Sequence, residues 1–235
     1  MITIRGVAGL PQINAGDDLA TLVAAHTSIV DGDIVVITSK IVSKAEDRLV
    51  PALDRVDAIT AEAQRVVAQR GRTSIVETRH GFIMAAAGVD MSDVPHGFAA
   101  LLPLDPDASA RKIRGDIQKA LGITIGVIIT DTFGRAWRDG LVDMAIGAAG
   151  IQVLNDFRGR VDGAGNLLEA TVMATVDEIA SASELVRQKL TQSPVAIISG
   201  INHFVTSEDG PGVSALIRKS KDDWFRLGHR AAITT

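Results

Sequence analysis

The residues with the clearest chemical potential lie in one stretch, Ile128-Ile129-Thr130-Asp131-Thr132-Phe133-Gly134-Arg135, with a second arginine at Arg138. It reads as a buried strand that ends in an acid and a hydroxyl, followed by a glycine turn and two guanidinium groups. Asp131 and the Thr132 oxygen are hard ligands suited to Mg²⁺ or Mn²⁺. Arg135 and Arg138 have the fork geometry that grips phosphate or carboxylate. A capped strand-to-turn with surface arginines would look the same. A second stretch, Ala85-Ala86-Ala87-Gly88-Val89-Asp90-Met91-Ser92-Asp93, is built of small residues that let a ligand or backbone come close, with Asp90 and Asp93 beside them. Together with Asp131 these acids would make a divalent-cation site; alternatively they cap an ordinary turn. In a third stretch, Thr38-Ser39-Lys40-Ile41-Val42-Ser43-Lys44, Ser39 reads as a helix N-cap, and Lys40 and Lys44 stand one turn apart on one face. That arrangement suits an anion at a helix start, or else forms a solvated basic face.

Other chemistries are excluded. No G-x-x-x-x-G-K-[ST] or post-strand G-x-G-x-x-G occurs, so a nucleotide would have to be held by a less common scheme. No G-x-S-x-G elbow is present. With no Cys there is neither a disulfide framework nor thiolate chemistry. The five histidines, His26, His80, His96, His203 and His229, are not paired at metal-binding spacing. His80, between Arg79 and Gly81, lines a site or makes a structural hydrogen bond.

The elements that must position these groups follow from periodicity and punctuation. Alternation at Ile2, Ile4 and Val7 predicts a short first strand, and Gly9 to Ile13 a loop. Asp17 and Asp18 cap a helix carrying Leu19, Leu22, Val23 and His26. After the turn Asp31-Gly32-Asp33, the β-branched run Ile34 to Ile37 predicts a buried strand. A helix is expected from about Thr60 to Gln69, strands at Ser74 to Thr78 and Phe82 to Ala86, and a helix opened by Asp107 and Ser109 that stops near Gly122. Ile123 to Thr130 is the strongest strand signal. Asp177 to Leu190 is amphipathic, with Ile179, Ala182, Leu185, Val186 and Leu190 on one side. Val195 to Ser199 is a late strand, and Gly210-Pro211-Gly212 precedes a short charged helical tail. Interspersed helices and strands mean a mixed α+β fold.

The chain of 235 residues suits one large domain or two small intimate ones. Hydrophobic residues make up 46% and aromatics only 3%, with no Tyr, so the core is Ala, Val, Ile and Leu. A net charge of −4 argues against general nucleic-acid binding. The start, MITIRGVAGL, lacks a charged leader with an apolar core, and no run of about 18 apolar residues exists. A cytoplasmic protein that neither enters nor anchors to a membrane is expected. The segment Leu141 to Ile151, rich in Gly and Ala, has few large side chains for a private core and predicts packing against a second copy or inside its own subunit.

The segments Gly9-Leu10-Pro11-Gln12-Ile13, DGDIVVITSKIVSKAEDR, RHGFIMAAAGVDMSD, LLPLDPDASA, GVIITDTFGRAWRDGLVDMAIGAAGI and VDEIASASELV, in that order, resemble the F420-0:γ-glutamyl ligase family. The likeness is greatest to the N-terminal ligase domain of the actinobacterial two-domain version. It implies one ligase domain over 1–235 and an intertwined homodimer. It further implies a reaction in which GTP activates the carboxylate of F420-0 as an acyl phosphate and L-glutamate attacks, giving F420-1, GDP and phosphate, with further γ-linked glutamates in later rounds. Two divalent cations, Mg²⁺ or Mn²⁺, and K⁺ as a helper belong to that scheme. The family's metal ligands fall on Asp90, Asp131 and Thr132, of which Asp90 and Asp131 are the expected catalytic pair. Its nucleotide contacts fall on Leu10, Pro11, Gln12, Ile13, Ser39, Lys40, Lys44 and Asp93. Three departures stand out: Asp93 replaces a usual Asn, Lys189 stands near a further metal ligand of some members, and the flavin-binding reductase domain of the two-domain members has no counterpart before Thr235. The same features would serve another nucleotide-dependent amide ligase on this scaffold, or a protein that holds F420 or nucleotide without turnover.

Overall fold

The computed structural model describes residues 1–223. In chain order its regular elements begin with β1 (Thr3–Val7), α1 (Leu19–His26), β2 (Ile34–Thr38), α2 (Ser39–Ala45), β3 (Leu49–Pro51) and α3 (Arg55–Glu62). They continue with β4 (Ala63–Arg70), β5 (Thr73–Thr78), β6 (Ile83–Ala85), β7 (Phe98–Ala100) and α4 (Pro106–Leu121). The rest are β8 (Gly126–Arg135), β9 (Arg138–Ala149), β10 (Asn155–Asp156), β11 (Val172–Met173), α5 (Thr175–Arg187) and β12 (Val195–Ser199). The mixed α+β class is as expected.

Five strands form the main sheet in the order β1-β12-β2-β8-β9. Only β2 and β8 run parallel, with Ile34 opposite Gly126 and Thr38 opposite Thr130; the other pairs are antiparallel. The strands β2 and β12 are buried through continuous β-branched runs, as strands covered on both faces must be. The two covering helices are identified by alternation along β8. Gly147, opposite Ile129, lies against Pro106 of α4, whereas the next residue of β8, Thr130, accepts a hydrogen bond from Arg187 of α5. Successive strand side chains point to opposite faces, so α4 and α5 cover opposite sides of the sheet.

Residues between β3 and β7 build a smaller unit on the three-stranded sheet β4-β5-β6 and the helix α3. It has its own small core around Ala58, Val76, Ala87, Val89 and Ala99. Its entry and exit strands, β3 and β7, pair antiparallel, Leu49 opposite Ala100.

Several expectations are corrected. The helix expected over Thr60 to Gln69 lies earlier, because Asp54 caps it at Val56 N–H, and Ala63 onward is the strand β4. Val66 pairs with Val76 of β5, and this pairing overrides the helix propensity of the Ala, Gln and Arg around it. The strand expected at Ile123 to Thr130 starts at Gly126 and continues to Arg135, because the long partner β9 extends it as a hairpin. Asp131 and Thr132 therefore sit inside the strand rather than at its end. The helix α4 is capped by Asp105 rather than Asp107; Asp107 instead accepts from the N–H groups of Ala148 and Val213. The helix expected to reach Leu190 stops at Arg187; its buried stripe includes Val176, Ile179, Ala180, Ser183 and Arg187, while Leu185 on the helix and Leu190 beyond it are exposed. Of the Gly/Ala segment, Ala145 to Ile151 is buried throughout inside its own subunit, and only its start at Leu141 is exposed. Beyond Gly212 the described chain makes short 3₁₀ turns at Val213–Leu216 and Ser220–Asp222; the remainder of the expected tail, with His229, lies outside the described residues.

Gly147 carries a checkable consequence. A Cβ there would stand 2.2 Å from the Pro106 carbonyl oxygen, backbone that cannot swing aside. Gly147→Ala is expected to lower stability by about 1–3 kcal/mol through overpacking. Gly115→Ala, in the interior of α4 with open space around the new methyl, is expected to raise it by about 0.5–1 kcal/mol. Urea unfolding of the two variants measures both, and a Gly147→Ala protein as stable as the parent would contradict the α4 packing.

Candidate active site

The site begins with the parallel pair. With Thr38 opposite Thr130, the next residues, Ser39 and Asp131, become neighbours, and the Ser39 hydroxyl donates to Asp131 Oδ1 at 3.0 Å. The strand β2 passes into α2 without a loop. Thr38 occupies the N-cap position but makes no side-chain capping bond, so the expectation of Ser39 as N-cap is corrected: Ser39 is the first helical residue, and its hydroxyl serves Asp131.

Lys40 and Lys44 project from α2 toward the smaller unit. Lys40 Nζ is 2.8 Å from Asp90 Oδ2 and donates to Ser92 Oγ at 2.8 Å. Lys44, with only 3% of its side chain exposed, pairs with the exposed Asp93 at 3.2 Å. The chain reaches these acids through a tight left-handed passage: Ala86 and Ala87 have φ of 54°, and Gly88 has 70°. Gly88 is required there, since a Cβ would fall 2.7 Å from the Leu102 side chain. The backbone of Asp90 then bridges to Ala100 of β7, fixing this segment against the strand by which the unit rejoins the body.

Thr132 faces the other way. By alternation its hydroxyl lies on the α5 side of β8, where it donates to Asp143 Oδ1 at 2.9 Å. Thr130 donates to the other oxygen of Asp143, also at 2.9 Å. Arg187 of α5 completes the cluster, 2.5 Å from Asp143 Oδ2 and 3.0 Å from the Thr130 hydroxyl, with both charged side chains almost wholly buried. The sequence reading missed Asp143, Arg187 and Glu184. Their signal was a charged residue set on the buried face of a strand or helix, Asp143 inside the β9 run and Arg187 four residues after Ser183.

All eleven residues expected to bind cation or nucleotide line one cavity of about 670 Å³: Leu10, Pro11, Gln12, Ile13, Ser39, Lys40, Lys44, Asp90, Asp93, Asp131 and Thr132. Asp143, Glu184, Arg187 and Lys189 line it too. Arg135 and Arg138 do not: Arg135 donates to the Asp139 carbonyl in the β8–β9 hairpin. His80 is structural, held by the carbonyls of Pro103 and Leu104.

The acids of the cavity differ in charge environment. Burial alone would push the Asp90 carboxyl up, but hydrogen bonds from Lys40 and Ser92, with the charge of Lys40, outweigh it and hold the group below its ordinary value. Asp131 is pushed up to about 7 by burial, against hydrogen bonds from Ser39 and the Thr132 N–H, and the charges of Asp143 and Asp90 push in the same upward direction. A divalent cation bound beside Asp131 would relieve that excess of negative charge. Among the described residues no three His, Cys, Asp or Glu side chains gather as a ready metal cage. The donor set fits an ion such as Mg²⁺, which takes one or two carboxylates and keeps water. The Thr132 hydroxyl can keep donating to Asp143 while its oxygen lone pairs stay free for a cation.

Residues 8–57 and 51–200 match the sequence profile of the family described as F420-0:Gamma-glutamyl ligase. A protein named Coenzyme F420:L-glutamate ligase from Methanothermobacter thermautotrophicus is 39% identical over 250 residues, covering 96% of this chain and 99% of that protein. Proteins of the same name from Methanopyrus kandleri and Methanocaldococcus jannaschii are 38% and 37% identical, each over 92% of this chain and 94% of their own.

The raised Asp131 value gives a pH dependence. Its folded value of about 7 lies above the ordinary 3.8, so between those values the folded state binds more proton than the unfolded one. Stability contributed by Asp131 is therefore full at low pH and is lost as pH rises toward 7. Measured in chelator, the difference in urea midpoint between the parent protein and Asp131→Asn should shift against the parent from about pH 4 to about pH 7.5. A difference constant with pH would mean that Asp131 titrates normally.

Proposed function

The chain belongs to the F420-0:γ-glutamyl ligase family, and we propose that it joins L-glutamate to coenzyme F420-0 with GTP as the energy source. The observation that carries this reading is the single cavity in which the family's nucleotide and metal positions meet. Phosphoryl transfer asks a protein for positioning and charge neutralisation more than for covalent chemistry. Lys40 in the first turn of α2 and Lys44 in its last can exchange their carboxylate partners for phosphate oxygens, and their ammonium groups then act as point charges. Leu10 to Ile13, Ser39 and Asp93 complete the nucleotide wall.

Asp90 and Asp131 would hold Mg²⁺ or Mn²⁺, with K⁺ as a helper ion; bound there, such cations neutralise developing charge on phosphate oxygens. Ser39 orients Asp131, and Lys40 with Ser92 orients Asp90. In the proposed sequence a carboxylate oxygen of F420-0 attacks the γ-phosphorus and GDP leaves. The glutamate amine then attacks the acyl carbon, forms the C–N bond and expels phosphate. Repetition with a glutamyl carboxylate as acceptor lengthens the γ-linked tail.

The test is incubation with F420-0, L-glutamate, GTP and Mg²⁺ or Mn²⁺, with the cofactor followed by mass spectrometry. F420 carrying added glutamate, and phosphate release that needs both substrates, are expected; phosphate release without glutamate addition would overturn the reading. Asp131→Asn should lose at least about tenfold in turnover, a loss of about 1.4 kcal/mol or more. Lys40→Ala should raise the nucleotide KM more than the glutamate KM.

The homodimer is proposed on the same family ground. Its support in this chain is a set of exposed large apolar residues, of which Leu141 and Leu185, at 68% and 74% exposure, wall one surface hollow. A buried area above about 2,000 Å² is expected. Sedimentation at low micromolar concentration decides it, because an active 24.7 kDa species would exclude an obligate dimer.

A further inference from the structure

Resting on the ligase reading, we propose that Asp143 is a positioning residue for the cation: by accepting the hydrogen bond of the Thr132 hydroxyl, it fixes that proton inward and leaves the oxygen open to the cavity as a ligand.

A hydroxyl has one proton and two lone pairs, and the direction of the proton decides whether the oxygen can meet a cation. Asp143, only 4% exposed, sits on β9 opposite Thr132. Its Oδ1 accepts from Thr132 and its Oδ2 from Thr130, both at 2.9 Å. An ionised carboxylate only accepts, so both threonines must donate to it. Their oxygens then differ. The oxygen of Thr130, a fully buried residue, is closed by a donor, Arg187. No donor among the described residues reaches the Thr132 oxygen, and Thr132 lines the cavity. The pairing of β2 with β8 ends at Thr38 and Thr130, so Thr132, like Asp131, lies on the part of β8 that β2 no longer covers.

Arg187 makes the arrangement one-way. It donates to Asp143 Oδ2, and a guanidinium can accept nothing in return. A neutral amide at this position would have to give its oxygen to Arg187 and Thr130, which puts its NH₂ opposite Thr132. The Thr132 oxygen would then accept, and its proton would turn toward the cavity and oppose a cation. The carboxylate therefore does what an amide of the same shape cannot. Since a buried ion pair adds little stability over apolar packing, the direction of two hydroxyl protons is what this pair supplies.

Mn²⁺ titration of the full chain, with free Mn²⁺ read by electron paramagnetic resonance, tests this without turnover. Asp143→Asn should weaken Mn²⁺ binding about 10- to 100-fold, as loss of a group that orients a metal ligand does, while GDP affinity measured without metal stays within about twofold. Thr130→Val removes the other hydroxyl on the same carboxylate, one that does not line the cavity, and should leave Mn²⁺ affinity within about twofold. In a Thr132→Val background, Asp143→Asn should cost less than about twofold more, because the hydroxyl through which it acts is gone. An equal cost in the two backgrounds would mean that Asp143 acts by its charge alone and would overturn the proposal, as would parent-like Mn²⁺ affinity in Asp143→Asn. If Asp143→Asn does not fold, Asp143→Leu combined with Arg187→Met, which leaves no naked charge, takes its place: the same loss is expected, and parent-like affinity overturns the proposal. A parent chain that takes up no Mn²⁺, alone or with GDP, also overturns it. If the parent binds Mn²⁺ but adds no glutamate to F420-0, the ligase reading fails and the role of Asp143 stands or falls on the Mn²⁺ titration alone.

Discussion

The parallel pairing of β2 with β8 is the constraint on which the site depends. Its register, Thr38 opposite Thr130, leaves no freedom over what comes next: Ser39 and Asp131 must be neighbours. Because β2 becomes α2 at once, the first turn of that helix is anchored to the sheet rather than to a loop. Helical spacing then puts Lys44 one turn beyond Lys40 on the same side. Sliding β2 by one residue against β8 would break the Ser39–Asp131 pairing, and would turn the faces of β2 over. The core residues Ile34 to Ile37 and Val127 to Ile129, almost wholly buried, oppose such a slip.

Around this pairing, three acids are given three different fates. Asp90 has a lysine, Asp143 has an arginine, and Asp131 has a hydroxyl and a main-chain N–H. A hydrogen bond from a neutral donor offsets burial less than a cation does, which is why Asp131 alone is driven to about 7. The same difference makes Asp131 the acid most responsive to an arriving cation, since the others already have their counter-charge. Buried pairs such as Asp143–Arg187 add little net stability compared with apolar packing, but breaking one leaves a naked charge. Here that pair fixes the hydroxyls of Thr130 and Thr132, on either side of Asp131 in sequence.

Much of this was legible in the residues. Ile34 to Ile37, Val195 to Ser199 and the stop at Gly122 were readable because a continuous β-branched run or a left-handed glycine permits few alternatives. The chemistry of Asp90 and Asp131 suggested a shared cation site, but the gathering of both with Lys40 and Lys44 was legible only through the resemblance, since 41 to 91 residues separate the three segments and no local rule spans that distance. What failed was decided by partners. Ala63 to Arg70 has helix-compatible residues and is a strand because β5 lies beside it. The end of β8 was misplaced because its length is set by β9. Arg187 was invisible because a charged residue in an amphipathic helix reads as solvent-facing until its partner Asp143, from another element, is known.

The smaller unit leaves the main body and returns to it through two strands hydrogen-bonded to each other, β3 and β7, so its two ends stand one strand spacing apart, about 4.8 Å. A segment joined in this way is a cassette. The sheet, α2 and α4 need to know only that the chain comes back to the same place, not how long it was away or what it folded into. Lineages of this scaffold can therefore lengthen, shorten or replace everything between the two strands without re-registering the core. Asp90 and Asp93 arrive with the cassette, whereas Asp131, Lys40 and Lys44 belong to the body. The site is divided between a fixed half and an exchangeable half, and selection can act on one acid set while the phosphate-facing lysines stay where the parallel strands put them.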